Sequence, residues 1–320
     1  MTRIAFVFPG QGSQVVGMGQ ALAAASPAAA AVFARADDAL GESLSELAWT
    51  GPADALDRTE NAQPALLATS IAYLEAMRER WGADGPEPAF AAGHSMGQYS
   101  ALVAAGGLAL EDAVRLVRER GRRMQASGSG RDGMMAAIIG LDDARLPELV
   151  DEASRAGVFG IANRNAPGQV VVSGERTAIE AALDIAKGLG ARRVIVLPVS
   201  VAAHSPLMAE AAAGLREVLE TVPFADPVPP LLANADARPL RTGDACRDEL
   251  IEHLTAGVDW LAAVRAMEDA GVSTFVEIGP GRVLTGLVKR IAPDAVALAV
   301  DDPTAPDGLA MPTLPTHAIS

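Results

Sequence analysis

The pentapeptide Gly93-His94-Ser95-Met96-Gly97 is the feature that most constrains the fold of this chain. The apolar run at residues 88–92 predicts a short β-strand, and residues 96–105 predict an α-helix. Ser95 then lies on a strand-to-helix turn, where flanking glycines let neighbouring backbone approach without a Cβ clash. Such a turn projects the hydroxyl into a cleft, and the Met96 amide at the helix start can bind a developing oxyanion. In a chain with 31 glycines the same pattern can also arise by chance.

Hydrophobic patterns on both sides of this turn predict alternating strands and helices. Residues 3–8 predict a strand, residues 17–40 a helix, and residues 63–81 a second helix with one buried stripe. Beyond Pro198 the pattern predicts helices at 206–220 and 262–270, a strand at 274–278 and a helix after Gly281. Half of the residues are apolar but only 4% are aromatic, which suits helices packed closely on a parallel sheet.

Between these two regions the order of elements changes. Strands are predicted at 134–139, 158–162, 169–173 and 192–197, with helices at 142–156 and 176–189. This β-α-β-β-α-β order is typical of a ferredoxin-like domain. We therefore predict an α/β protein whose large α/β-hydrolase-like domain, with a parallel sheet core, comprises residues 1–129 and 198–300. The inserted ferredoxin-like domain comprises residues 130–197, and residues 301–320, with four prolines, are predicted to be a flexible tail.

Charge and composition exclude several functions. A net charge of −14 argues against nucleic acid as a partner, because phosphate backbones are bound through clustered Lys and Arg. The chain has neither a signal-peptide pattern at residues 1–8 nor an apolar run of 18 residues, so we expect a cytoplasmic protein without membrane contact. The single cysteine, Cys246, cannot form an internal disulfide and is expected to be an ordinary residue.

Three further features could cooperate with Ser95, and each has a simpler interpretation. The loop Gly10-Gln11-Gly12-Ser13-Gln14 follows the first strand and could supply a second oxyanion-binding amide, or it could be only a tight turn. His204 lies between a strand and a helix, where it could act as a general base; alternatively, Ser205 caps the helix and His204 is incidental. Arg120 could bind a carboxylate through two hydrogen bonds, or it could be a solvated helix residue.

Taken in order, these segments resemble the malonyl-CoA:acyl carrier protein transacylase family of fatty-acid and polyketide synthesis, over about residues 3–300. The matching segments are Phe8-Pro9-Gly10-Gln11-Gly12-Ser13-Gln14, Gln63-Pro64-Ala65-Leu66, Gly93-His94-Ser95-Met96-Gly97, Arg120-Gly121 with Met124-Gln125, Asn163 and Asn165 before Pro167-Gly168-Gln169, Ser173-Gly174, His204-Ser205, Glu277-Ile278-Gly279-Pro280-Gly281 and Leu284-Thr285-Gly286-Leu287.

The resemblance implies a role for each candidate residue. Ser95 would be the nucleophile and His204 the base, while the amides of Gln11 and Met96 would stabilise the oxyanion. Arg120 would bind the free carboxylate of the malonyl group. The implied reaction is ping-pong transfer of malonyl from malonyl-CoA, through malonyl-Ser95, to the phosphopantetheine thiol of acyl carrier protein. The resemblance implies no bound cofactor or metal, and it suggests a monomer.

Several positions depart from the family pattern. His253 stands where family members usually have Gln, at the position whose backbone carbonyl would orient the catalytic histidine. Gln98 replaces a frequent Glu, and Ala203 stands where malonyl-selective members often have Phe or Ser. A smaller wall rejects an extra methyl less strongly, so we expect malonyl and leave methylmalonyl open. Asn163 and Asn165 are expected to support the site.

Acyl carrier proteins are acidic, so docking to a chain of net charge −14 requires a local basic patch. The candidates are Lys187, Arg192, Arg193, Lys289 and Arg290, which could also be scattered solvated charges. Four other functions remain as alternatives: a trans-acting polyketide acyltransferase using malonyl or methylmalonyl, a serine esterase, a thioesterase, and a carrier-binding module with an inactive site. Esterases place an acid and then a histidine near the chain end, which the position of His204 does not match.

Overall fold

The computed structural model describes residues 3–128, 132–199 and 201–300. Within these ranges the strands are β1 (Arg3–Phe8), β2 (Phe90–Gly93), β3 (Gly133–Ile139), β4 (Phe159–Ala166), β5 (Gln169–Glu175), β6 (Arg193–Val196), β7 (Leu231–Leu232), β8 (Pro239–Leu240), β9 (Val272–Ile278) and β10 (Val296–Val300). The predicted tail at residues 301–320 lies outside the described residues.

The α-helices of the described ranges are α1 (Gln20–Ala25), α2 (Pro27–Leu40), α3 (Leu44–Thr50), α4 (Ala53–Leu56), α5 (Thr59–Trp81), α6 (Gly97–Ala104), α7 (Leu110–Gly128), α8 (Leu146–Ala153), α9 (Arg176–Gly188), α10 (Ala209–Leu219), α11 (Gly243–Ala256), α12 (Trp260–Asp269) and α13 (Val283–Ile291). No helix in this part of the chain is long and apolar enough to cross a membrane.

The larger sheet has the order β10-β9-β1-β2-β7-β8, and its strands are parallel except at the β7–β8 pair. β1 lies inside this sheet, and its side chains alternate between two hydrophobic clusters. Ile4, Phe6 and Phe8 pack on one face, whereas Ala5 and Val7 pack on the other. A strand buried on both faces requires an unbroken apolar run, which is why the sequence predicted β1 with its observed bounds.

The first two helix predictions need correction. The helix predicted at residues 17–40 is two helices, because Ser26 caps α2 by accepting from the Ala29 amide and Pro27 occupies its first position. The helix predicted at 63–81 begins at Thr59, and residues 62–74 are buried on every side rather than along one stripe. The cause is tertiary, since α5 packs against both α2 and α7.

The smaller sheet is antiparallel, with the order β4-β5-β3-β6. Its strands and helices follow the predicted β-α-β-β-α-β order, although the first helix is shorter than predicted and has a 3-10 turn at each end. Side chains of β3, including Ala136 and Ile138, form one hydrophobic cluster with Leu149 of α8 and Ile179 of α9. The protein is thus a mixed α/β protein with a parallel sheet and a separate antiparallel sheet.

β4 also joins the antiparallel sheet to the chain leading into α12. The Arg164 amide donates to the Val258 carbonyl at 2.8 Å, and the Val258 amide donates to the Ala162 carbonyl at 2.9 Å. The Arg164 guanidinium forms an ion pair with Asp259 at 2.9 Å. These contacts explain why β4 continues to Ala166, four residues beyond its predicted end.

Candidate active site

Ser95 lies on a strained turn between β2 and α6. Its φ is 54°, in the left-handed region that non-glycine residues rarely occupy. A Cβ at Gly93 would come within 1.9 Å of the Gly97 carbonyl carbon, and one at Gly97 within 2.2 Å of the Phe8 carbonyl oxygen. Gly93 therefore allows the turn to close on itself and Gly97 allows it to pack on the end of β1, as expected of glycines that flank such a turn.

The His204 imidazole is hydrogen-bonded to both Ser95 and a backbone carbonyl. Its Nε2 lies 2.8 Å from Ser95 Oγ, and its Nδ1 lies 2.6 Å from the His253 carbonyl oxygen. Because a carbonyl can only accept, Nδ1 carries the proton and Nε2 is free to accept one from the serine. Burial holds the pKa of His204 well below its usual range, and the neighbouring His253 and Arg120 lower it further. The imidazole is therefore neutral, as a general base must be.

The Arg120 guanidinium is buried next to the serine. Its Nη2 donates to Ser95 Oγ at 3.1 Å and to His253 Nε2 at 3.3 Å, and its Nη1 donates to Gln63 Oε1 at 2.8 Å. The guanidinium also lies over the Tyr99 ring, 5.9 Å from its centroid. Burial lowers the pKa of Arg120, which nevertheless remains a cation because arginine titrates far above neutral pH. The interpretation of Arg120 as a solvated helix residue is wrong, since only 1% of it is exposed.

The two predicted oxyanion-binding amides belong to neighbouring segments. β1 and β2 are parallel with Phe8 paired to Gly93, so the loops that follow them leave the same edge of the sheet. The loop of Gln11 lies against the serine turn, because a Cβ at Gly10 would come within 2.5 Å of the His94 carbonyl oxygen. Met96 stands directly before the first turn of α6. The loop that contains Gln11 is therefore next to the serine turn, in which Met96 directly follows Ser95.

Of the other predicted supporting residues, Asn165 contacts the serine turn, whereas Asn163 and Ala203 contact other parts of the structure. Asn165 reaches the serine turn, because its Oδ1 lies 2.9 Å from Nε2 of His94. Asn163 pairs through its backbone with Val258, and its buried Oδ1 has no hydrogen-bond partner among the described residues. Ala203 is partly buried and packs against the hydrophobic clusters beside the site.

A polar network beneath the serine includes two residues that sequence reasoning missed, Asn234 and Glu249. Asn234 accepts a hydrogen bond from the Ser95 amide at 2.8 Å and donates to the Gly93 carbonyl at 2.9 Å. The fully buried Glu249 accepts from the Asn234 amide at 2.6 Å. Gln98 accepts from the Gly93 amide at 3.0 Å, and its Nε2 lies 3.4 Å from a Glu249 carboxylate oxygen. The sequence signal that could have identified Glu249 is its position four residues before His253, which places both side chains on the same face of a helix.

The predicted docking residues lie on the surface, and two of them, Arg192 and Arg290, lie at one turn of the smaller sheet. Arg290 donates to Gln169 and to the Pro167 carbonyl, and the Arg192 side chain lies against Gly140, whose amide bonds to the Gly168 carbonyl. Arg193 and Lys289 are exposed neighbours of these arginines in sequence. Lys187 is paired with Asp184 at 3.0 Å.

Two other expectations concern metals and the cysteine. Within residues 3–128, 132–199 and 201–300, no group of three His, Cys, Asp or Glu side chains could hold a metal ion. Cys246 is buried, and burial raises the pKa of its thiol to about 12. At neutral pH this thiol is therefore protonated and poorly nucleophilic.

The side chains of Ser95, His204 and Arg120 meet at one site of this α/β fold, an arrangement that suits an acyltransferase. The model of the acyl transferase domain family matches residues 5–300. The malonyl CoA-acyl carrier protein transacylase of Escherichia coli (strain K12) is 45% identical over 305 residues, which are 95% of this chain and 98% of that protein.

Solved structures agree with the sequence comparison. An acyl carrier protein S-malonyltransferase from Vibrio cholerae superposes with a TM-score of 0.91 and 40% identity, covering 94% of this chain and 97% of that one. A malonyl-transacylase in complex with its type II PKS acyl-carrier protein has a TM-score of 0.90 and 43% identity, covering 94% and 96% of the two chains. The chain therefore belongs to the malonyl CoA-acyl carrier protein transacylases of the acyl transferase domain family. The family expected from the sequence is confirmed, and with it an acyltransferase.

Proposed function

We propose that this protein transfers a malonyl group from malonyl-CoA to the phosphopantetheine thiol of an acyl carrier protein, through malonyl-Ser95. The observation that carries the proposal is the buried Arg120 guanidinium 3.1 Å from Ser95 Oγ. A fixed cation beside the nucleophile suits an acyl chain that ends in a carboxylate. The proteins named above, one of them in complex with a carrier protein, support the same substrates.

In the first half-reaction Ser95 Oγ attacks the thioester carbonyl carbon while His204 Nε2 takes its proton. The amides of Gln11 and Met96 stabilise the oxyanion, and CoA leaves as a thiol after receiving that proton. In the second half-reaction His204 accepts the proton of the phosphopantetheine thiol, whose sulfur attacks malonyl-Ser95. The proton then returns to Ser95 Oγ, so the enzyme ends in its starting state. Pairing with Arg120 fixes the acyl chain for the incoming thiol and so favours transfer over hydrolysis.

The domain description is part of the same proposal. The antiparallel sheet order β4-β5-β3-β6, with α8 and α9 in one cluster with β3, supports a ferredoxin-like domain over residues 130–197. The serine turn after a parallel strand supports an α/β-hydrolase-like domain over residues 1–129 and 198–300. A cytoplasmic location, a monomeric state and the absence of a bound cofactor stay predictions.

A carrier from polyketide synthesis is the second candidate acceptor. The observation that favours it is the similar malonyl-transacylase solved with a type II PKS carrier. Methylmalonyl remains an alternative acyl group because Ala203 is small. An esterase fits less well, because the His204 imidazole is oriented by the backbone carbonyl of His253 and not by an acid.

Mass spectrometry of the intact protein after mixing with malonyl-CoA tests the proposed function. We expect one malonyl adduct, absent from Ser95→Ala, that holo acyl carrier protein removes and becomes labelled in turn. Rapid release of free malonate without transfer would instead indicate a hydrolase. Adding methylmalonyl-CoA as a competitor measures acyl preference, and preferential labelling by the branched ester would overturn the choice of malonyl.

Arg120→Ala tests the assigned carboxylate contact in the same assay. Hydrogen bonds to a charged group contribute about 1.5–3 kcal/mol, so we expect malonyl loading to slow at least roughly tenfold. Loading from acetyl-CoA, which has no free carboxylate, should change far less. Malonyl loading as fast as in the wild type would show that Arg120 does not bind the substrate.

A further inference from the structure

The buried Arg120 guanidinium is held by uncharged groups among the described residues. Its hydrogen-bond acceptors are Gln63, Ser95 and the His253 imidazole. A guanidinium has five N–H donors, so some remain for a substrate, and Nε has no partner within the described chain. The direction in which those donors point depends on the three acceptors. Ser95 belongs to the chemistry, which leaves Gln63 and His253 to orient the cation.

His253 can accept a hydrogen bond from Arg120 only in one tautomer of its imidazole. Nη2 of Arg120 is a donor, so Nε2 of His253 must present its lone pair, and the ring proton must be on Nδ1. Nδ1 lies 3.1 Å from the backbone oxygen of Glu249, which can only accept. It also lies 3.4 Å from a carboxylate oxygen of the same residue. Both contacts with Glu249 favour the tautomer that Arg120 requires.

The Glu249 carboxylate is itself well anchored. It is fully buried and accepts from the Asn234 amide at 2.6 Å, while its other oxygen lies 3.4 Å from Gln98 Nε2. The buried Glu249 carboxyl group and the buried Arg120 guanidinium thus flank one imidazole. Burial lowers the pKa of Arg120, and the negative charge of Glu249 acts on this pKa in the opposite direction.

We propose that Glu249 and His253 form a positioning pair that orients the Arg120 guanidinium and thereby makes Ser95 select acyl groups with a free carboxylate over uncharged ones. The inference rests on the proposed function. Glu249 and the His253 ring touch no reacting atom, so they act through Arg120. The backbone carbonyl of His253 orients His204 independently of the ring and serves every acyl group alike. Side-chain substitutions at position 253 can therefore separate the two effects.

The test is the ratio of kcat/KM for Ser95 acylation by malonyl-CoA and by acetyl-CoA. His253→Leu removes the acceptor, and we expect malonyl-CoA to lose roughly tenfold or more while acetyl-CoA changes less than about threefold. His253→Gln is the matched control, because its amide oxygen can accept from Arg120 without any tautomer. We expect it to keep the wild-type ratio within about threefold. An equal loss for both esters in His253→Leu, or a loss in His253→Gln as large as in His253→Leu, would overturn the proposal.

Glu249→Gln tests the second member of the pair and does not depend on how well His253→Leu folds. In the wild-type background it should lower the malonyl-to-acetyl ratio of kcat/KM several-fold, because a carboxylate no longer favours the His253 tautomer with its proton on Nδ1. In the His253→Gln background the same substitution should leave the ratio nearly unchanged, since no tautomer remains to be selected. Equal effects in the two backgrounds would remove Glu249 from the pair. Wild-type protein that loads no malonyl would overturn both proposals, whereas malonyl loading with unaltered ratios in all variants overturns only this one.

Discussion

Two histidines near Ser95, the buried His204 and the half-buried His94, show how residue environment controls protonation. His204 and His94 are both desolvated, and burial is the main reason that the pKa of each is lowered. Asn165 hydrogen-bonds His94 and partly opposes that shift, whereas His253 and Arg120 add to it at His204. A neutral His204 keeps a free lone pair for Ser95 at neutral pH.

The same shifts predict an acid-sensitive fold. A free histidine titrates near pH 6.5, so below that pH the unfolded chain takes up protons that native His204 and His94 do not bind. The free energy of unfolding should therefore fall as the pH falls, by at most about 1.4 kcal/mol per pH unit for each histidine. Urea unfolding between pH 7.5 and 5 measures this slope. His204→Gln should reduce it, and an unchanged slope would contradict the shift assigned to His204.

At the scale of elements, the site depends on the close crossing of β1 and the serine turn. Gly97→Ala puts a methyl about where the Phe8 carbonyl oxygen already lies, with only 2.2 Å between them. Overpacking of this kind costs typically 1–3 kcal/mol and displaces backbone. We expect Gly97→Ala to lower the melting temperature and to abolish malonyl loading.

Gly286→Ala is the matched control for that substitution. Gly286 lies in α13, and an added Cβ there meets nothing within 4 Å. Since Ala favours a helix over Gly by about 1 kcal/mol, this variant should be as stable as the wild type or more so. Normal activity of Gly97→Ala would show that the turn tolerates a displacement that its packing distances do not allow.

At the scale of the whole molecule, the two sheets are joined close to the active site. β4 bonds to Val258, which follows the α11 segment whose His253 carbonyl orients His204. Asn165, also on β4, forms a hydrogen bond with His94, the residue before Ser95. Arg290 of α13 contacts the turn between β4 and β5. β4 of the antiparallel sheet thus contacts both the serine turn, through Asn165, and the chain after α11, through Val258.

Carrier docking is predicted for the basic surface near that turn. We expect Lys289→Glu to raise the KM for acyl carrier protein several-fold while leaving the KM for malonyl-CoA unchanged, because it reverses an exposed charge that faces an acidic partner. Arg290→Glu should do the same but also lose its contacts with Pro167 and Gln169. Arg155→Glu, an equal charge change at another exposed residue, is the control. An unaltered carrier KM in Lys289→Glu would exclude this residue from docking.

Local patterns were sufficient for the class of fold and for the turn at Ser95. The apolar runs of β1 and β9 predict strands because parallel strands are buried on both faces. The spacing of Gly93 and Gly97 predicts the turn at Ser95 because a Cβ at either glycine would clash with backbone. The resemblance of ordered segments then implied roles for His204 and Arg120, which local patterns had only named as candidates. Patterns failed where periodicity is absent, as in the two-residue strands β7 and β8. They also failed for α11, whose apolar residues follow no clear stripe.

The sequence by itself therefore determined the α/β class, the serine turn and the acyltransferase family. Only the tertiary structure decided which groups surround them. Asn234 is 139 residues from Ser95 in the chain, and His253 is 133 residues from Arg120, yet each pair is hydrogen-bonded. Short-range spacing carries no information about such partners, because buried polar groups are satisfied by whatever the packing of distant elements brings within about 3 Å. For that reason the spacing of Glu249 and His253 on one helix was not enough to single out Glu249, whose contacts with Asn234 and Gln98 depend on the tertiary structure.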